Sequence, residues 1–334
     1  MTRSSGAATI TQVAKHAGVS PATVSRVMNG RFAGEPEVAE RVRQSAAELA
    51  YSPSHLARSL ALGQTHAIAF VVPDLANPAF QAMLSSLSKA AAKDGYRVLV
   101  ADSAESPQDE PLLVAEVRGR CDAIVLCAPR MTDAELVHLG AGLKPLVLIN
   151  RANSRLDAPS LSIDYQSGIR NLVRHLYDLG HRHLVYLDGP PESASNRDRL
   201  AGLDEMQRLH PDLVVDRIPA GASIESGTAA ARAVTASSAT AVVAYNDLVA
   251  IGAMNGLLEL GVRVPEDISV TGFDDIPFAR YTTPPLTTVS VPHEELGGQA
   301  WLRMRALLAG EVPGHDVVFQ PRVEQRRSTG EPRS

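Results

Sequence analysis

The sequence has little of what would cross-link a protein or carry it through a membrane. It contains 2 cysteines in 334 residues, Cys121 and Cys127, which flank the apolar run at 122–126. Disulfide frameworks and cysteine-bound metals usually need more thiols at characteristic spacings, so reduced core cysteines are expected. No run of about eighteen apolar residues occurs, which argues against a membrane-spanning helix.

Motifs for common enzyme chemistries are also missing. No G-x-G-x-x-G follows a predicted strand, and there is neither a P-loop nor a G-x-S-x-G nucleophile turn. His181 and His183 form an H-x-H pair without further clustered ligands, which favours structural histidines over a metal site. Because no nucleophile–base arrangement is evident, we expect no catalytic residues, no metal and no cofactor.

Charge is distributed unevenly along a chain whose net charge is −5. Residues 1–62 hold seven Lys and Arg against four Glu, or +3, which leaves −8 on the remainder. A basic end on an acidic body suits a protein that docks nucleic acid by that end. The first ten residues, MTRSSGAATI, lack the apolar segment of a signal peptide, so we expect a cytoplasmic protein.

The most specific pattern is the segment TITQVAKHAGVSPATVSRVMN at residues 9–29. Thr9 can cap a first helix with Gln12 as its capping-box partner, and a GVS turn follows. Ser20 then caps a second helix that starts at Pro21, a residue whose φ is preset for a helix. The pattern predicts a helix–turn–helix whose second helix can enter the DNA major groove N-terminus first.

Further along, a third helix opens at Pro36, a short helix follows Pro53, and strands alternate with helices after residue 66. Helices are predicted at Phe80–Lys93, Gln166–Leu179 and Leu248–Leu260. A break near Leu161–Asp164 predicts two halves, each with its own sheet. Apolar runs predict buried parallel strands at Ile68–Val72, Tyr96–Val100, Ala123–Leu126, Leu146–Ile149, Leu184–Leu187, Ala241–Tyr245 and Ile268–Phe273.

Over roughly residues 9–329 the chain resembles the lactose-repressor (LacI/GalR) family of bacterial regulators. The similarity rests on the AGVS turn and the TVSRVMN helix, and on the body blocks VVPDLANPAF, LGHRH, RLAGL, AYNDLVAIGAM and VPEDISVTGFDD…TTPPLTTV. The resemblance implies an N-terminal all-α helix-turn-helix headpiece. It also implies an α/β periplasmic-binding-protein-like body of two Rossmann-like subdomains.

The domain limits follow from the same resemblance. It implies a DNA-binding headpiece at 9–53, a hinge helix and linker at 54–65, and an effector-binding and dimerisation domain at 66–329. The two subdomains of that body are expected at about 66–161 plus 291–316, and at 162–290 plus 317–329.

The function implied is that of a ligand-responsive, sequence-specific, DNA-binding transcriptional regulator, a repressor of a sugar or related catabolic operon. Its partners would be double-stranded operator DNA, a small-molecule effector such as a sugar, and a second copy in a homodimer. The alternative is a sugar-binding transport-type protein on the same body, against which the N-terminal head argues.

For DNA, the resemblance implies base or groove contacts by Pro21, Ala22, Arg26 and Leu60. Arg26 can make the bidentate contact to guanine O6 and N7. Leu60, in the ARSL pattern, would wedge a base step of the minor groove. Phosphate contacts, which position the head without reading sequence, are expected from Thr9, Ser20, Ser25 and Asn29.

For the effector, the resemblance implies a cleft between the two subdomains, lined by residues at strand ends and helix starts, where open α/β sheets bind ligands. Carboxylate, amide and guanidinium groups suit the hydroxyl rows of a sugar. The expected residues are Asp74, Phe80, Asn150, Arg151, Asp164, Arg199, Asn246, Phe273 and Asp274.

The sequence departs from the family pattern at two places where the family often carries aromatic side chains. It has Ala79 and Ala222 instead. Walls that would stack on a sugar ring are reduced to Phe80, Phe273 and Tyr245, which leaves the class of effector open.

Overall fold

The computed structural model describes residues 8–51, 64–151 and 155–333, and the chain divides into two units after Thr65. The described part of the first unit contains the helices α1 (Ile10–Ala17), α2 (Pro21–Met28) and α3 (Pro36–Glu48). Each contributes small apolar side chains to one core, in which Val13, Val24 and Val42 have no exposed surface.

Local hydrogen bonds set the ends of the first two helices. The Thr9 hydroxyl accepts from the backbone N–H of Gln12 at 3.4 Å, while the Gln12 side chain accepts from the N–H of Thr9 at 2.7 Å. Gly18 ends α1 in the left-handed region at φ +68°, and Ser20 caps α2 by accepting from the N–H of Thr23 at 3.1 Å. The capping box and turn predicted from the sequence are therefore confirmed.

The second unit alternates strands and helices along the chain. Its elements are β1 (Ala67–Val72), α4 (Pro78–Lys93), β2 (Arg97–Asp102), α5 (Glu110–Arg118), β3 (Ala123–Cys127), α6 (Asp133–Leu143), β4 (Leu146–Ile149), β5 (Ser160–Ile163), α7 (Tyr165–Asp178), β6 (His183–Asp188), α8 (Ala194–Leu209), β7 (Val214–Pro219), α9 (Ile224–Ala236), β8 (Ala241–Ala244), α10 (Asp247–Glu259), β9 (Ser269–Thr271), a 3₁₀ turn (Pro277–Arg280), β10 (Thr288–Ser290), α11 (His293–Leu308), β11 (Val317–Phe319) and β12 (Arg322–Glu324).

The strands form two parallel sheets and a small antiparallel pair. The six-stranded first sheet has the order β11-β5-β4-β3-β1-β2, and the four-stranded second sheet has the order β7-β6-β8-β9. Strands β10 and β12 pair antiparallel, with Val289 opposite Val323. Central strands such as β3 and β4 are buried throughout, because helices cover both faces of a parallel sheet.

One predicted boundary in the body is wrong. The break placed near Leu161–Asp164 coincides with the end of β5, which pairs with β4 in the first sheet and is followed by α7. Residues 317–319, assigned from the sequence to the second subdomain, form β11 and pair with β5, with Val317 opposite Leu161. The chain therefore returns to the first sheet after α11 and crosses to the second half only afterwards.

The two cysteines and the histidine His181, which were noted in the sequence, have structural positions in the body. Cys121 and Cys127 are buried and form no disulfide. His181 lies between the Thr240 hydroxyl at 2.8 Å and the carbonyl of Gly330 at 2.9 Å. Among the described residues, no group of three or more His, Cys, Asp or Glu could hold a metal ion, and no helix is both long and apolar enough to cross a membrane.

Candidate DNA-reading helix and effector cavity

The outer face of α2 carries the residues expected to meet DNA. Pro21, Ala22 and Arg26 are exposed, while Val24 and Val27 anchor the opposite face in the core of the headpiece. Among the described residues, the Arg26 side chain makes one long hydrogen bond, from Nε to the Ala22 carbonyl at 3.4 Å, so its guanidinium is available to a partner. The helix therefore presents a cation on a rigid support.

The side chains expected at phosphates surround this helix. Thr9 and Ser20 are exposed at the N-termini of α1 and α2, where helix dipoles favour an anion. Ser25 and Asn29 are half-buried and joined by a 3.4 Å hydrogen bond, and the Asn29 Oδ1 has no partner. Leu60 lies outside the described residues, so its role as a minor-groove wedge stays a prediction.

The body contains a small cavity of about 30 Å³ where the carboxyl ends of strands from both sheets meet. Ala128 and Asn150 directly follow β3 and β4 of the first sheet, and Tyr245 directly follows β8 of the second. The complete lining is Asn77, Ala79, Phe80, Met83, Glu105, Ala128, Arg130, Asn150, Tyr165, Ser195, Arg199, Ala222, Tyr245, Asn246, Asp274 and His293.

Arg199 is the central cation of this cavity. Its side chain is 2% exposed, and its guanidinium carbon lies 4.4 Å from the ring centre of Tyr165, 4.7 Å from that of Tyr245 and 4.1 Å from that of Phe273. Its Nη2 lies 3.8 Å from Oδ1 of Asp274. Aromatic rings stabilise a cation without accepting conventional hydrogen bonds from it. The N–H groups of Arg199 are therefore available to donate hydrogen bonds to a ligand.

Most of the buried polar side-chain atoms that lack a hydrogen-bond partner, among the described residues, belong to residues of this cavity. Six buried side-chain atoms have no hydrogen-bond partner among the described residues, and four of them belong to residues that line the cavity: Oδ1 of Asn150, Nε and Nη1 of Arg199, and Nδ1 of His293. A buried polar atom without a partner costs about 1–3 kcal/mol. A ligand that supplies partners would recover this cost.

A second ion pair, between Glu105 and Arg130, also lines the cavity. Glu105 and Arg130 are joined by two hydrogen bonds, of 2.5 Å from Nε and 2.9 Å from Nη2, and Arg130 also donates to the Ala128 carbonyl at 2.9 Å. Burial lowers the pKa of Arg130, but Tyr245 and the carboxylates of Glu105 and Glu110 raise it by more, so the pKa lies above its ordinary value. The Glu105–Arg130 pair is hydrogen-bonded, whereas Arg199 lies 3.8 Å from the Asp274 carboxylate without a hydrogen bond to it.

Four non-glycine residues with a strained backbone conformation line the same cavity. Glu105, Ala128, Asn150 and Asp274 all have φ between +49° and +110° and all line the cavity. Left-handed conformations cost non-glycine residues about 1–3 kcal/mol and persist where the surroundings impose them, typically at ligand sites.

Burial changes the proton affinity of the carboxyl group at the cavity. Burial raises the pKa of Asp274 to about 7, against the opposing influence of Arg199. Asp247, fully buried behind it, also has its pKa raised well above the usual range, mainly by burial and further by Asp274. Asp247 accepts from the Thr288 hydroxyl at 2.5 Å and from the Ile276 N–H at 2.8 Å, and so holds the turn that presents Asp274.

The nine residues expected at the effector fall into three groups. Phe80, Asn150, Arg199, Asn246 and Asp274 line the cavity, and Phe273 forms the wall behind Arg199. The structure places the remaining three, Asp74, Arg151 and Asp164, outside the lining.

Each of those three has a local structural partner. Arg151 donates to the carbonyls of Pro129 and Met131 and to Asp133. Asp164 caps α7, and Asp74 accepts from the N–H of Ala76.

Several cavity residues were not singled out from the sequence. Glu105, Arg130, Tyr165, Ser195 and His293 carry ionisable or polar groups at the cavity. Arg130 comes shortly after β3, and Tyr165 and His293 start α7 and α11, so the rule that ligands lie at strand ends and helix starts could have found them.

The chain is similar to known bacterial regulators over almost its whole length. Residues 9–54 match the model of the lacI family of bacterial regulatory proteins, and residues 173–329 match that of a periplasmic binding protein-like domain. The HTH-type transcriptional regulator GalR of Salmonella typhimurium is 34% identical over 332 residues, which cover 97% of each chain.

Solved structures show the same architecture. The lac repressor dimer bound to operator and the anti-inducer ONPF superimposes with a TM-score of 0.83 at 28% identity, covering 97% of this chain and 100% of that one. The complex of the transcriptional regulator CelR with cellobiose has a TM-score of 0.69 at 27% identity, with 96% and 99% covered. The chain belongs to the lacI family of bacterial regulatory proteins, and it is a ligand-responsive, DNA-binding transcriptional regulator.

Proposed function

We propose that the cavity binds a small polyhydroxylated effector, most simply a sugar, and that the exposed face of α2 reads operator DNA in a homodimer. The four orphaned polar atoms at the cavity support this assignment. They include two donors, on Arg199, and two acceptors, on Asn150 and His293. Hydroxyl groups satisfy both kinds, because each can donate and accept.

The similar regulator CelR is known in complex with cellobiose, which agrees with a sugar as the effector class. The lac repressor was solved as a dimer on operator, which agrees with homodimeric binding to a pseudo-palindromic site. We propose further that the protein works in the cytoplasm, where it meets DNA, and that it catalyses no reaction.

Binding an effector requires the cavity to enlarge. The cavity of about 30 Å³ has room for roughly one water molecule, whereas small-molecule pockets are usually about 300–1,000 Å³. Ala79 of the first half packs on Leu248 and Ile276 of the second and helps to keep the cleft closed. We infer that the effector changes the angle between the halves and that this change alters DNA binding.

The substitution Arg199→Met tests the site. Methionine preserves contact with Tyr165 and Phe273 but offers no hydrogen-bond donor. Charged hydrogen bonds are worth about 1.5–3 kcal/mol, so effector affinity should fall about tenfold to a hundredfold while operator affinity without effector stays the same. A thermal-shift screen of sugars on the wild type would supply the ligand, and calorimetry would give the affinities.

Arg197→Met is the matched control. Arg197 is exposed on the same helix, and among the described residues its side chain donates to the Glu192 carbonyl alone, so its loss should leave effector affinity unaltered. Equal affinities in the wild type and Arg199→Met would remove this cavity from effector binding.

A further inference from the structure

His293 joins the two halves of the body beside the cavity. It is the first residue of α11, which packs on α4 and the first sheet, and its side chain is buried. Its Nε2 lies 3.0 Å from the backbone carbonyl of Asp274, a residue that follows the last strand of the second sheet. The other ring nitrogen, Nδ1, is buried at the cavity without a partner.

The hydrogen bond to Asp274 decides the tautomer of the ring. A carbonyl oxygen can only accept, so the ring proton is on Nε2 and Nδ1 carries a lone pair. Burial lowers the pKa of His293 to about 4, which keeps the ring neutral at physiological pH. Nδ1 is therefore a fixed, unpartnered acceptor on a residue that lines the cavity.

Because Nδ1 can only accept a hydrogen bond, it favours ligands that present a donor group to it. A carboxylate or phosphate oxygen would place a second lone pair against Nδ1, whereas an O–H or N–H group would satisfy it. Arg199, at the same cavity, offers unpaired N–H donors and so needs an acceptor. A hydroxyl group can serve both residues, which a purely anionic ligand cannot.

We propose that His293 is a specificity-determining residue, which accepts a hydrogen bond at Nδ1 from a hydroxyl of the effector. This inference rests on the proposed function of the cavity. A donor at Nδ1 polarises the ring and strengthens the bond from Nε2 to the Asp274 carbonyl. Effector binding is thereby linked to the contact between the two halves.

Two substitutions separate the two nitrogens. In His293→Gln the amide nitrogen reaches the place of Nε2, which retains the link to Asp274 but removes the acceptor at Nδ1. In His293→Asn the amide oxygen takes the place of Nδ1, which retains the acceptor but removes the link. A merely structural histidine would not distinguish the variants in this order.

The probes are D-ribose, D-galactose and cellobiose, titrated separately by calorimetry into the wild type and both variants. The sugar that binds the wild type most tightly should bind His293→Gln at least about tenfold more weakly and His293→Asn within about threefold. In protein labelled with ¹⁵N-histidine, the Nδ1 resonance of His293 should move upfield when that sugar is added. The far-UV circular dichroism spectrum and the melting temperature of each variant report that it is folded.

The possible failures are distinguishable. If a sugar binds the wild type and His293→Gln equally, or leaves the Nδ1 resonance unchanged, the role of His293 is overturned while the proposed function stands. If none of the three sugars binds the wild type at millimolar concentration, the proposed effector class is overturned, and the assignment of His293 falls with it.

Discussion

Burial and the charge of Arg199 have opposite effects on the pKa of Asp274. The residue sits at φ +110°, its nearest cation is 3.8 Å away, and burial raises its pKa to about 7. A carboxyl in this state is a poor partner for Arg199 until a ligand adds hydrogen bonds. The free protein therefore holds strain and unpaired polarity that effector binding can relieve.

Asp274→Asn should alter the pH dependence of stability. The pKa of Asp274 is higher in the folded body than its ordinary value of 3.8, so the folded state retains the proton longer. The stability that this provides is complete below about pH 4 and is lost as the pH rises through about 7. Asparagine cannot ionise. The melting temperature of the variant should therefore rise relative to that of the wild type as the pH increases from 5 to 8.

Asp157→Asn is the control for that measurement. Asp157 is almost fully exposed and pairs with Lys144, so its replacement should not change the slope of melting temperature against pH over this range. Parallel curves for Asp274→Asn and the wild type would mean that Asp274 is ionised in the folded body.

Arg151→Gln should separate structure from ligand binding at the end of β4. The buried guanidinium donates to two carbonyls and to Asp133, so the variant loses charged hydrogen bonds and should melt several degrees lower. Because Arg151 lies outside the cavity, effector affinity should stay within about twofold. A large loss of affinity in a stable variant would place Arg151 in the site after all.

At the scale of elements, α9 and α10 approach so closely that glycine is required between them. A Cβ added at Gly252 would lie 1.9 Å from the Ile224 carbonyl oxygen, and one at Gly227 would lie 2.2 Å from that of Val249. This packing supports β8 and Asn246, whose side chain caps α10 beside the cavity. The rigidity of the second half thus depends on backbone contact between two helices.

Gly252→Ala should destabilise the body by about 1–3 kcal/mol or more, because the clash is with backbone and cannot be relieved by a side-chain rotation. Gly142→Ala is the matched control. Gly142 lies in α6 with nothing within 4 Å of an added Cβ, so alanine there should stabilise by up to about 1 kcal/mol. Denaturant melts of both variants would measure the difference, and equal stabilities would contradict the contact.

The recognition helix allows a test of sequence reading. Arg26→Lys retains the charge but loses the bidentate geometry, so it should reduce discrimination between operator and random DNA by about 1–3 kcal/mol with little effect on non-specific binding. Arg31→Lys, just beyond α2, is the control and should affect neither. Shift assays at two salt concentrations would measure both, with an operator fragment selected from random-sequence DNA.

For the whole molecule, linkage relates the two binding activities. An effector that alters operator affinity by some factor must have its own affinity altered by operator by the same factor, typically about 5–150-fold. Titrating the best-binding sugar with and without saturating operator, and operator with and without that sugar, should give equal factors. A factor of one in both would show that the cavity does not regulate DNA binding.

Locally determined features could be predicted from the sequence. The capping box of α1, the turn at Gly18 and the cap of α2 depend on hydrogen bonds between residues three or four apart. Fully apolar runs predicted β3, β4 and β8, because strands of a parallel sheet are buried on both faces. The resemblance to the lactose-repressor family, carried by contiguous motifs, indicated the fold and function.

Other features depended on contacts between distant parts of the chain. Strand β7 (VVDRIP) is an edge strand that is largely exposed, and β11 is too short for a pattern, so neither has the apolar run that marks a central strand. At the cavity, composition could not distinguish Arg199, whose N–H groups are unpaired, from Arg151, whose guanidinium is consumed by two carbonyls and Asp133. The sequence motifs show which polar residues follow the strands. Which of those residues lack hydrogen-bond partners depends on how the two sheets are arranged around the cavity, and this is known only from the tertiary structure.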